Sequence, residues 1–137
     1  MEFEATTKTV EDAAKALDVD AGRIIKSLLF VDEEGRPFIA IMTGDKEVDK
    51  EKLAEILGSS KIRLAKPDLV RALTGYGVGG LPPAGHARQG EIRYIIDEEV
   101  MRLNTVYGGG GTNRCLLRID PRDIKKLTNA EIHRISR

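Results

Sequence analysis

The chain has 137 residues, 41% of them hydrophobic and 32% charged, with 22 basic and 22 acidic side chains that cancel to zero net charge. That length suits one domain, residues 1–137, with a core of its own, and the charge balance excludes a global positive field, so a nucleic-acid partner would need a local patch. A single cysteine excludes a disulfide framework or Cys-rich zinc site, no stretch approaches the roughly 20 apolar residues of a membrane span, and the N-terminus MEFEATTKTVEDAA lacks the basic region and apolar run of a signal peptide; the expectation is a cytosolic protein.

Val10, Ala13, Ala14 and Leu17 recur at helical spacing, with Thr9 and Asp12 as a capping pair. IIKSLLFVD, Ile24 to Asp32, reads as a strand ending in the turn-like EEGR, and PFIAIMTG, Pro37 to Gly44, pairs with it as a hairpin. Asp49 is placed as the N-cap of the next helix, Val48 and Leu53 as its hydrophobic staple and Gly58 as its stop. KIRLA, Lys61 to Ala65, is a short strand; PDLVRALTG is a short helix with Pro67 at its first position and Gly75 past its end.

Then comes GYGVGGLPPAGH, Gly75 to His86. EIRYIID, Glu91 to Asp97, follows as a strand, and NTVYG and NRCLLRI read as two more, separated by the run Gly108 to Gly111. The two glycine stretches hold nine of the fourteen glycines. TNAEIHRIS is predicted as a closing helix, with Thr128 and Glu131 as a capping box and Leu127 and Ile132 as its staple. The elements define an α+β class around a mixed, mostly antiparallel sheet.

G-x-G-x-x-G occurs at Gly75, Gly77 and Gly80, but it follows a helix, and Pro82-Pro83 behind it opposes helix initiation, so it is no dinucleotide fingerprint. Leu81 and Pro82 each precede a proline and are driven to extended geometry, while the flanking glycines allow close main-chain approach. The expectation is a stiff, exposed main chain with N–H groups free for a ligand. In the first strand, alternation places Ile24, Lys26, Leu28 and Phe30 on one face and Ile25, Ser27, Leu29 and Val31 on the other. Lysine among apolar neighbours either reaches solvent from an edge or stands as a cation at a pocket wall, suited to a phosphate or a developing anion.

No serine lies in a nucleophile motif, Cys115 shares a face with Leu117 and Ile119 and reads as core, and His133 reads as surface. Two histidines and one cysteine, widely spaced, offer no metal site. His86 is a structural hydrogen-bonder or a catalyst, and Asp97 is a cap for EEVM or a site residue. Tyr76 and Tyr107 flank the glycine stretches, either packed or stacked on a base.

Taken together, IIKSLLF, IAIMTGDKEVD, GGLPPAGH, YIID and VYGGGGTNRCLLRIDPRDIKKLT, in this order from about Thr9 onward, resemble the YbaK/ProX family, free-standing relatives of the editing domain of bacterial prolyl-tRNA synthetase. The resemblance implies an α+β domain with a curved mixed sheet. It implies hydrolysis of the ester joining a wrong, small amino acid to a tRNA, typically the proline tRNA, with the aminoacyl-tRNA acceptor end as substrate and prolyl-tRNA synthetase as a candidate partner. It calls for no cofactor. On the residues, it implies catalytic roles for Lys26, Gly80 and His86. It implies substrate contacts for Ser27, Gly79, Leu81, Pro82, Pro83, Gly85, Asp97, Gly109, Gly110 and Gly111. A neighbouring ribose hydroxyl can orient the attacking water, so the protein needs mainly to position the ester and stabilise charge. The alternative is a non-catalytic module of the same fold that binds a nucleotide or aminoacyl-adenylate.

Overall fold

In the computed structural model, which describes residues 10–77, 81–112 and 116–137, the expected hairpin is formed by β1 (Ile25–Asp32) and β2 (Pro37–Thr43). The Asp32 carboxylate accepts the N–H groups of Glu34 and Arg36, both at 2.9 Å, and so closes the turn between them. On the far side β3 (Ile62–Leu64) runs antiparallel to the second half of β1. β4 (Arg93–Asp97) lies parallel to β2, and β7 (Glu131–His133) lies parallel to β4, giving a mixed sheet of order β3-β1-β2-β4-β7. A separate antiparallel pair, β5 (Val106–Gly109) and β6 (Leu116–Ile119), meets the sheet at a parallel bridge between Ile24 and Tyr107.

The helices are α1 (Val10–Leu17), α2 (Lys50–Leu57), α3 (Pro67–Thr74), α4 (Glu98–Met101) and α5 (Pro121–Thr128). α2 begins and ends where its local signals place it: Asp49 accepts the N–H of Lys52, and Gly58 closes the helix at φ 68°. Thr9 lies outside the described residues. The sheet separates two apolar clusters. Ile25, Leu29, Ile39, Ile41, Tyr94 and Ile96 face α3, α4 and α5, whereas Phe30, Phe38, Ala40 and Ile95 face Leu53 and Ala54 of α2 together with Ile135. Period-2 alternation along each strand produces this division, because successive side chains leave opposite faces.

The C-terminal region departs from expectation. The helix is α5, seven residues earlier than TNAEIHRIS, and Glu131–His133 is a strand. Asp120 accepts the N–H of Arg122, and Pro121 occupies the first turn; both are start signals. Thr128, expected as an N-cap, instead turns its hydroxyl back to donate to the Ile124 carbonyl at 2.8 Å, and Asn129 ends the helix at φ 54°. Glu131 is drawn to β4 by an ion pair with Arg93 at 2.5 Å. The expected staple is absent: Leu127 and Ile132 are 60% and 41% exposed.

Candidate active site

The strand β1 carries the two halves of the candidate site on its opposite faces. Lys26 stands on the α2 face, opposite Met42 of β2, and its half-buried side chain reaches along the end of the sheet to donate from Nζ to the Lys46 carbonyl at 2.5 Å. It lines a cleft of about 650 Å³ with Leu28, Phe30, Val48, Lys50 and Arg137. Of the two readings open to this lysine, a solvent-reaching edge residue or a cation on a cleft wall, the geometry supports the second.

Asp97 belongs to the same face and the same row. Met42 lies opposite Lys26, and extending the β2–β4 register by one residue sets Asp97 beside Met42. Its carboxylate is 0% exposed and is fully occupied by main chain. Oδ1 accepts from Ile135 at 2.8 Å and Ser136 at 3.1 Å, and Oδ2 caps α4 through Glu99 at 3.2 Å. A substrate contact for Asp97 is therefore not what the geometry offers. Asp97 acts one step back: the segment it holds forms the cleft wall, through a Val48–Ser136 bridge, Asp49 N–H to the Ile135 carbonyl, and Arg137 N–H to the Glu47 carbonyl.

On the other face lies the glycine–proline loop, and it corrects the expectation of exposed main chain. Leu81, Pro82, Pro83 and His86 are all buried. The N–H groups of Gly85 and His86 are taken by Oε1 of Gln89, whose amide nitrogen donates to the Leu127 carbonyl; Ala87 N–H donates to Thr74. The prolines have no N–H to offer. The apolar core recruits Leu81 and the ring of His86, and that burial obliges the main chain around them to find protein partners. Gly79 and Gly80 lie outside the described residues.

His86 is 5% exposed, and its ring lies parallel to Tyr94 with centroids 5.6 Å apart. Nε2 is 2.7 Å from the Pro82 carbonyl and Nδ1 is 2.5 Å from the Tyr94 hydroxyl. A carbonyl can only accept, so Nε2 carries the proton, and Nδ1 accepts from Tyr94 O–H. Burial lowers the His86 pKa below its ordinary value, opposed by the bond to Pro82, and burial raises that of Tyr94. This is a neutral imidazole with both nitrogens engaged. It ties the loop to β4 and has no free lone pair for a water, which removes the basis for a catalytic role and matches the structural alternative.

The two glycine stretches come together here. A Cβ on Gly108 would stand 3.1 Å from Cγ1 of Ile25, a crowded distance, and 3.6 Å from Cδ of Pro83, ordinary contact, so β5 lies close against both β1 and the loop. Gly111, at φ 105°, approaches the ring of Tyr76 to 3.2 Å measured from the same position. Tyr76 and Pro83 flank the loop's own glycines. Gly109 ends β5 opposite Leu116, with Gly110 next in the run. Ser27 is half-buried on this face, two residues along β1 from Ile25. Lys26 and the paired loops thus meet only across the thickness of β1.

An aminoacyl-tRNA editing domain model matches residues 4–127. The chain belongs to that family. Among relatives of this editing domain, YwhH of Bacillus subtilis is 30% identical over 131 residues, 96% of this chain and 82% of that protein. EbsC of Enterococcus faecalis, whose name assigns it to Cys-tRNA(Pro)/Cys-tRNA(Cys) deacylation, is 29% identical over 93% of this chain and 77% of its own. A proline–tRNA ligase of Nitratidesulfovibrio vulgaris is 40% identical over 92 residues, which are 67% of this chain but 16% of the ligase. A solved structure described as a trans-editing enzyme for prolyl tRNA synthetase superposes with TM-score 0.90 and 34% identity, covering 100% of this chain and 85% of that one.

Three residues around the loop face are not singled out by the sequence: Gln89 lies outside the quoted motifs, whereas Tyr94 and Thr43 lie within YIID and IAIMTGDKEVD. Tyr94 and Gln89 hold the loop from outside it, and only their proximity in space reveals them. Thr43, opposite Ile25 on the loop face, is 5% exposed, and its hydroxyl has no hydrogen-bond partner among the described residues. Among those residues no group of three histidine, cysteine, aspartate or glutamate side chains converges as metal ligands, and no helix is long and apolar enough to cross a membrane.

Proposed function

We propose that this editing domain hydrolyses the ester of a small amino acid mischarged on a tRNA, with the proline tRNA as the leading substrate. The family match across residues 4–127 carries the reading, and the naming of EbsC for Cys-tRNA(Pro) deacylation supports the choice of tRNA. The cleft chemistry is consistent with it. Lys26 supplies a cation for a terminal phosphate or for the developing oxyanion, and the joined glycine stretches admit a substrate close to main chain.

In the reaction a water oxygen adds to the ester carbonyl, and the bond from that carbon to the ribose oxygen then breaks. The ribose oxygen takes up a proton, and the amino acid leaves as a carboxylate. The neighbouring ribose hydroxyl orients the water, so no protein base is required, in keeping with the occupied ring of His86. Asp97 and His86 are positioning residues, one for the cleft wall and one for the loop. The reading needs no metal, so turnover survives a chelator.

The test is release of the amino acid from alanyl-, cysteinyl-, seryl- and threonyl-tRNA under multiple-turnover conditions. Hydrolysis of at least one, over many equivalents, is the expected result. Stoichiometric binding without release from any of them would replace this reading with a nucleotide or aminoacyl-adenylate binding module.

A further inference from the structure

We infer that β7 is the seam of a symmetric dimer, its open edge pairing antiparallel with the β7 of a second copy about a two-fold axis at Ile132. The inference is independent of the editing reading above, because it is tested by mass and not by hydrolysis. The sheet order β3-β1-β2-β4-β7 leaves β3 and β7 with a neighbouring strand on one side only. An edge strand turns alternate main-chain N–H and carbonyl groups outward, a template on which another strand can add.

The two edges differ in chemistry. Along and beside β3 stand Lys61, Arg63 and Lys66, all exposed, and a row of one sign repels a copy of itself. The β7 region, Ala130-Glu131-Ile132-His133-Arg134, has neither lysine nor proline. It has exposed apolar surface instead. Ile132 lies beside Ile96, hence on the sheet face that carries α5, and Leu127 of α5 is exposed as well. The two side chains expected to cover each other as a staple are both left bare next to the unguarded edge.

The order of residues around Ile132 identifies the occupant as a second copy. Reversed and set against itself about that residue, the strand places Ile132 opposite Ile132 and Glu131 opposite His133. Glu131 and His133 share one face of the sheet and Ile132 takes the other, so two carboxylate–imidazole pairs form on one side of the seam and an apolar pair on the other. Within one chain His133 Nε2 approaches Glu131 only to 3.5 Å, a long contact that the copy across the seam replaces, while Arg93 holds the same carboxylate from the β4 side. The neighbouring registers are worse. Centred on Glu131 the pairing sets carboxylate on carboxylate, and centred on His133 it sets imidazole on imidazole.

The test is the mass of the full chain by analytical ultracentrifugation, from about 1 µM to about 1 mM. The expected result is a mass that climbs with concentration from 15.1 kDa towards twice that value. Ile132→Lys sets two cations against each other on the axis and weakens association about tenfold or more, while melting stays near that of the parent because residue 132 is already exposed. Ile132→Cys gives the position of the seam. On the axis each cysteine meets its own copy, so oxidation joins the chains through 132. A cysteine at 134 faces position 130 and lies four residues, roughly 13 Å along the strand, from its copy, so Arg134→Cys stays unjoined. The parent, with Cys115 as its one cysteine, supplies the background. If the lysine variant melts early, the cysteine pair decides alone. A mass fixed at 15.1 kDa across the range would overturn the inference. So would a folded Ile132→Lys variant that associates as the parent does, or equal joining through 132 and 134.

Discussion

Replacing Asp97 by alanine withdraws the acceptor of three main-chain N–H groups at once, those of Glu99, Ile135 and Ser136. Hydrogen bonds to a charged acceptor contribute about 1.5–3 kcal/mol each, and their sum overshoots because the three share one group. Each main-chain donor left unsatisfied costs about 1–3 kcal/mol, and with that overlap a loss of about 3–5 kcal/mol is expected at this fully buried site. For a chain of this length it lowers Tm by roughly 10–20 °C. Asparagine separates the two oxygens. Its carbonyl, placed as Oδ1, keeps both bonds to the C-terminal segment, and its amide faces Glu99, so only the cap of α4 is lost, about 1–2 kcal/mol. The functional consequence follows the same division. Alanine releases the Ile135–Arg137 segment that walls the Lys26 cleft and slows hydrolysis even well below its melting point, whereas asparagine leaves hydrolysis near normal. Thermal unfolding and single-turnover hydrolysis on the same preparations decide it. An alanine variant melting within about 2 °C of the parent, or an asparagine variant as damaged as alanine, would refute the reasoning.

Lys26→Ala deletes a half-buried cation and little core, so it removes most deacylation while melting stays near normal, and Lys26→Arg rescues poorly because a planar guanidinium does not replace a point charge; near-normal turnover by a folded alanine variant would deny the lysine its role. Thr43→Val substitutes a methyl for a buried hydroxyl with no partner among the described residues and raises stability by about 1 kcal/mol, read as a higher melting temperature; a fall would mean that the hydroxyl is bonded in solution. His86 has a pKa lowered by burial, so below about pH 6.5 the unfolded chain takes up a proton before the folded one does. Its contribution is full above that value and lost as pH falls through the lower folded pKa. The melting temperature therefore falls more steeply from about pH 8 to about pH 5 in the parent than in His86→Gln, and parallel curves would contradict the buried neutral imidazole.

Local chemistry in the sequence was enough for much of this molecule. Alternation alone separated Lys26 from Ser27 on two faces of one strand, the Asp49 cap and Gly58 stop bounded α2, and the ordered set of short motifs pointed to the editing family. These signals act within one strand or across one helical turn, which is why they read without a fold. What they could not supply was partnership across the chain. Thr128 and Glu131 have the spacing of a capping box, yet Glu131 is claimed by Arg93, 38 residues away, and the segment becomes a strand. Asp97 read from its neighbours as a cap for EEVM, which it is, and from the resemblance as a substrate contact; its other oxygen is taken by Ile135 and Ser136, which the parallel β4–β7 pairing brings beside it. GYGVGGLPPAGH appeared to be free main chain because its glycines and prolines describe what the backbone can do, not which neighbours will bury it. Tyr94, Gln89 and Gly108 made that choice, and only the packed sheet sets them beside the loop.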